Sequence, residues 1–254
     1  MARGRSAALR ATAPEVLLRK ATLARTSVAR AKYAQRGLLH AGELDDTTRM
    51  MLLRQLYLSH MEGRRFAEAL EVAGQMIACN VMPDVARQDA ARACLGLGNI
   101  HEAVQHLRIA SRVSPAARRA FHLWTLGTVL YLNGNPEDAV GALERAARWG
   151  TTDKPLYLAQ ALLARRAAGE EVTGLASARE QLEDAPCGQG YGQFVLGELA
   201  FAQGDMEAAR RYLTAFVRRT TEGRVALEVA LALEIQRARH LLRLLRGKAR
   251  RRAG

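Results

Sequence analysis

One spacing recurs three times along the 254 residues and limits the fold more than any overall property of the chain. A small residue is followed by Gly-Asn or Gly-Asp at offset 7, alanine at 12, leucine at 16 and an apolar residue at 19. The copies read Ala91, Gly98-Asn99, Ala103, Leu107, Ala110; then Gly127, Gly134-Asn135, Ala139, Leu143, Ala146; then Gly197, Gly204-Asp205, Ala209, Leu213, Phe216. They start 36 and then 70 residues apart, so the second interval has room for one further copy. Each offset has a physical role. Glycine ends a helix in the left-handed conformation, and the following Asn or Asp caps the next helix. Pro136 suits a first helical position, and Glu102, Glu137, Asp138 and Glu207 fall in first turns, where the helix dipole favours acids. Small residues on either side of the turn let two antiparallel helices approach closely. No single pair buries its apolar face alone, so neighbouring pairs must stack.

This pattern resembles the tetratricopeptide repeat family. The best copy, 120–153, has Leu123, Leu126-Gly127, Leu130, Ala139, Leu143 and Ala146 at signature positions, with Leu123 for the usual Trp and Thr151 for the usual Pro. Copy 84–119 matches at Ala91, Cys94, Gly98, Ala103, Leu107, Ala110 and Pro115, with Arg87 in place of the opening aromatic. Copy 190–223 keeps Leu196-Gly197, Gly204-Asp205, Ala209 and Leu213 and departs at Gln193 and Phe216. Poorer copies fill 50–83, whose turn Gly63-Arg64-Arg65 reads one residue longer, and 154–189, where Thr173 replaces the expected alanine near Gly169-Glu170. The resemblance implies an all-α fold: a right-handed superhelical solenoid of stacked antiparallel helix pairs with flanking helices. Helical periodicity after Pro14 predicts one long or two short helices over 14–37. Apolar residues from Val225 to Leu245 predict one C-terminal helix whose first half caps the last repeat.

The net charge of +13 divides the chain into a basic segment 1–40, a nearly neutral array 41–236, and an Arg-rich end 237–254. Residues 1–40 carry nine Lys/Arg against Glu15, and 237–254 carry eight basic residues and no acid. Such ends attract nucleic acid, anionic lipid or acidic protein, or are simply solvated. No stretch approaches about 18 uncharged apolar residues, so no transmembrane helix is expected. Met1 to Arg10 lacks the roughly 7–15-residue apolar run of a secretory signal, although an Arg- and Ala-rich start is also how a transit peptide reads. Arginine outnumbers lysine 34 to 4, the bias of a GC-rich bacterial coding sequence. Cys79, Cys94 and Cys187 form neither a CxxC pair nor a disulfide framework, which points to a reducing, cytoplasmic compartment.

Chemistry is hard to place on this chain. The six histidines make no HxxxH or HExxH pair, and no phosphate-binding or nucleophile-elbow motif occurs. Gly188-Gln189-Gly190-Tyr191-Gly192 lacks a lysine and reads as a connector. No enzyme, cofactor or metal site is therefore expected. The resemblance implies instead a partner polypeptide held in a concave groove lined by the first helix of each pair. Carried over residue by residue, that groove comprises Gln88, Arg92, Phe121, Trp124, Thr128, Tyr131, Arg165, Tyr191, Phe194, Glu198 and Phe201. Where family members that read acidic tails place Lys and Asn, Gln88, Arg92 and Thr125 stand here, so apolar anchors are the better match. The expected role is a non-enzymatic interaction scaffold; the alternative is an adaptor docking nucleic acid or an anionic surface through its basic ends.

Overall fold

The computed structural model describes residues 13–253 other than 41, 43 and 224, with side chains through residue 247. The basic stretch 1–12 and the side chains of Lys248, Arg250, Arg251 and Arg252 lie outside the described residues. Every regular element among the described residues is helical. The chain divides between Val113 and Ser114 into two compact units.

The first unit holds α1 (Pro14–Thr22), α2 (Ser27–Leu38), α3 (Asp46–Glu62), α4 (Phe66–Cys79), α5 (Pro83–Gly96) and α6 (Ile100–Val113). Each packs chiefly on its neighbours in sequence. The segment after Pro14 thus forms two short helices, with Thr26 capping the second through Ala29 N–H. Leu17, Met50, Leu52, Met76 and Leu107 are fully buried, alongside a run of buried alanines that keeps the helices close. Polar ties fix the stacking: Tyr57 Oη donates to the Asp89 carbonyl at 2.7 Å, and Ser59 Oγ to the Ser27 carbonyl at 2.7 Å.

The second unit holds α7 (Ala116–Leu132), α8 (Pro136–Trp149), α9 (Lys154–Ala167), α10 (Leu175–Asp184), a 3-10 turn (Pro186–Gly188), α11 (Gly192–Ala202), α12 (Met206–Thr221), α13 (Val225–Ala230) and α14 (Ala232–Ala253). Its core joins Leu163, Leu182, Phe194, Leu199, Leu213 and Phe216 to Ile235, Ala238, Leu241 and Leu245 of α14. α14 packs mainly on α12, crosses α11 and touches α7.

The recurrent spacing becomes one turn geometry. Gly98, Gly134 and Gly204 sit at φ +80°, +79° and +82°. The N–H of the next residue bonds back to the helix, Asn99 to Cys94 O, Asn135 to Leu130 O and Asp205 to Ala200 O, at 2.9 to 3.0 Å. This closes the helix end with left-handed backbone that glycine adopts without Cβ strain. The small residue seven positions earlier is dictated by contact: a Cβ on Gly127 or Gly197 would stand 2.6 Å from Leu143 Cγ or Leu213 Cγ.

Two sequence expectations need correction. The turn after α3 is not longer: Arg64, at φ 56°, occupies the left-handed position, and Arg65 N–H reaches His60 O at 2.9 Å. Ala69 then lies five residues on, as Ala103, Ala139 and Ala209 do from their glycines. The C-terminal helix is also not continuous from Val225, because Leu231 is a turn between α13 and α14. In the fourth pair the turn at Gly169 is kept, but the chain runs on to a second left-handed glycine, Gly174, before α10 begins.

Candidate polypeptide-binding face of the second unit

In this unit the first helices of successive pairs are α7, α9 and α11. On α7 the side chains of Phe121, Trp124, Thr128 and Tyr131 recur at helical spacing and so share one side. A polar chain links them to their neighbours. Trp124 Nε1–H donates to Gln160 Oε1 at 2.7 Å, and Thr128 Oγ1 donates to the same oxygen at 3.4 Å. Gln160 Nε2 donates to Tyr191 Oη at 3.4 Å, and Tyr191 Oη to Glu234 Oε1 at 3.3 Å. Rings run alongside: Phe121 lies 5.8 Å from Trp124, Trp124 meets Tyr191 edge-on at 4.8 Å, and Phe194 stacks obliquely on Phe216 at 5.3 Å.

Glu198 on α11 is the electrostatic centre. It is 3% exposed, yet its Oε1 accepts from Tyr131 Oη at 3.2 Å and from Arg237 Nε at 2.9 Å. Its Oε2 is buried with no hydrogen-bond partner. Burial pushes the carboxyl above its ordinary range, against the opposing pull of Arg237. Burial likewise raises the Tyr131 and Tyr191 phenols, so both stay neutral donors. Arg237 and Glu234 belong to α14. The side of α7 and α11 that the sequence assigns to a partner therefore already carries the chain's own helix.

The other expected residues sit elsewhere. Phe194 is wholly buried and belongs to the core, and Phe201 packs half-buried against it. Arg165 pairs with Glu144 of α8 and with Glu170. Gln88 and Arg92 belong to α5 in the first unit, where Gln88 is buried and Arg92 lies 3.9 Å from Asp89. Sequence reasoning missed Gln160, Glu234, Arg237 and Tyr157, whose ring lies 6.0 Å from that of Trp124, as members of this cluster. Gln160, set among Leu156, Ala159 and Leu163 on the apolar side of α9, was the available signal.

Among the described residues, one group of metal-ligand side chains forms, in the first unit, where donor atoms of Cys94, Glu102 and His106 lie within 4.8 Å of one another. Arg87 Nη1 stands 3.2 Å from His106 Nδ1. A guanidinium only donates, so Nδ1 accepts and the ring proton sits on Nε2, the nitrogen facing Glu102. A ligating nitrogen would have to present a lone pair there. Burial pushes the Cys94 thiol up to about 11, which disfavours the thiolate a metal needs.

No family model matches the chain, and no curated protein matches it. Among solved structures, a TPR repeats protein from Bacteroides fragilis aligns with 93% of this chain and 99% of its own, at 15% identity and a TM-score of 0.36. No helix among the described residues is long and apolar enough to cross a membrane.

Proposed function

We propose that this protein is a non-enzymatic interaction scaffold that holds a partner polypeptide on the α7–α9–α11 side of its second unit. The observation that carries the reading is apolar surface left in water there. Phe121 on α7 and Leu158 on α9 are each 40% exposed on successive first helices, and Phe121 lies beside Trp124. Exposed aromatic and aliphatic side chains bordering a buried polar network are common anchors for a partner. Phe194 is unsuitable as a probe, because truncating a fully buried ring costs about 3–5 kcal/mol in stability and would mimic lost binding.

The test is a photo-crosslinking amino acid at Phe121, Leu158 or, as control, exposed Arg145 on α8. Adducts with a polypeptide at the first two positions and not at the third support the reading. Equal adducts at all three, or none, contradict it.

A second reading rests on α14, whose Arg239, Arg243 and Arg246 are all exposed. A cationic helix side of this kind docks to nucleic acid or anionic lipid, with affinity that falls steeply as salt rises. Salt-insensitive binding would reject it.

A further inference from the structure

We infer that α14 is a built-in competitor for this face, and that the partner it excludes is an amphipathic helix carrying an arginine that engages Glu198. The inference rests on the reading of the α7–α9–α11 side as a polypeptide-binding surface. It goes further by naming the ligand's chemistry and the device that regulates access.

α14 packs mainly on α12 with one apolar side, and its Glu234 and Arg237 reach the first-helix face at Tyr191 and Glu198. Leu242 is half-buried, and Ile235, Ala238, Leu241 and Leu245 are fully buried at spacings of three and four residues. Ala238, with no exposed surface, marks where the helix must come closest. Arg237 precedes it and places its Nε on Glu198. The template is therefore an Arg-Ala step flanked by Ile or Leu two residues before Arg and four residues after it.

The fit of α14 is incomplete. Arg237 reaches Glu198 by one nitrogen only and leaves the second carboxylate oxygen buried without a partner. Its own side chain remains 43% exposed. An arginine arriving end-on would occupy both oxygens in the two-pronged geometry that guanidinium and carboxylate prefer. A partner helix supplying that contact has an advantage at Glu198 that α14 lacks. The tether also allows departure, since α13 contributes no buried residue and follows Gly223, at φ +70°. Phe121 and Leu158, exposed while α14 is docked, offer a first foothold.

The test uses the full chain and a fluorescent peptide with the sequence of residues 231–247. Arg237→Glu sets two carboxylates face to face and should release α14. The peptide should then bind the variant about tenfold or more tighter than wild type, because a site freed of its internal occupant regains its intrinsic affinity. A peptide carrying the same Arg237→Glu change should lose that binding. Adding Glu198→Leu to the variant chain should abolish the difference between the two peptides. In wild type, hydrogen exchange should open α14 amides well before those of α11 and α12. This reading holds even where the variant fails to fold.

Equal peptide affinity for both chains overturns the inference, as does exchange of α14 only together with α11 and α12. A wild-type dimer that falls apart on Arg237→Glu would make a second copy's α14 the occupant and overturn it too. Crosslinking at Phe121 and Leu158 is independent of these readouts. A chain that captures a partner there while α14 stays locked overturns the displacement and leaves the scaffold reading intact.

Discussion

At the scale of single residues, conformation and charge divide the work. Gly134 occupies left-handed backbone with open space around any added Cβ, whereas Gly141 is an exposed helical residue with equally open space. Alanine at Gly134 should cost about 1–2 kcal/mol, the strain of a left-handed non-glycine residue. Alanine at Gly141 should add about 0.5–1 kcal/mol through helix propensity. Urea melts of the two variants check both signs. Glu198 contributes a pH dependence of its own to the second unit. Its carboxyl is raised in the folded chain, so its contribution is fully present at low pH and is lost as pH rises through the folded value. Wild type should therefore gain stability relative to Glu198→Gln as pH falls toward the ordinary carboxyl range. The N-cap acids Asp45 and Asp205 act in the opposite sense. The Thr48 hydroxyl and the Ala208 N–H, respectively, hold their carboxyls below the ordinary range, so their support fades only under more acidic conditions.

At the scale of elements, what was legible in the sequence was what local chemistry enforces. The 7, 12, 16, 19 spacing encodes a left-handed turn and a close helix approach, both local, and so it placed the pairs around Gly98, Gly134 and Gly204 well. The first pair was misread because arginine stands where glycine is expected, and a repeat pattern carries no sign that Arg64 tolerates that backbone. The fourth pair drifted because Gly174 delays α10. The sequence predicts the C-terminal helix on the last repeat, where α14 packs on α12, but the contact of Arg237 with Glu198 was not legible. Glu198 and Arg237 are 39 residues apart, and periodicity shows that a helix has an apolar side without showing what covers it. Ala238 tests that covering directly. Aspartate there would bury an unpaired carboxylate, a large penalty. Ala238→Asp should detach α14, expose the 222–231 segment to protease, and leave most of the helical circular dichroism in place. Protection equal to wild type would show that α14 contributes little to this face.

At the scale of the whole molecule, the chain is two helical units, each a succession of antiparallel pairs, with its positive charge drawn to the two ends. The charge and the groove are not separate features in the second unit. The helix that brings Arg239, Arg243 and Arg246 to the surface packs mainly on α12 and meets the α7–α11 side through Arg237 and Glu234. A partner that displaces it therefore also repositions a block of arginines. Only two tryptophans occur in the chain, and just one of them, Trp124, lies in the cluster. Replacing Trp149 by phenylalanine leaves Trp124 as the sole indole reporter. Titrating that chain, with Arg237→Glu added to release α14, with the 231–247 peptide while following both peptide anisotropy and Trp124 emission asks whether a polypeptide helix binds where this account places it. The account predicts that emission changes and saturates in step with anisotropy; binding that saturates while Trp124 emission stays constant would contradict it.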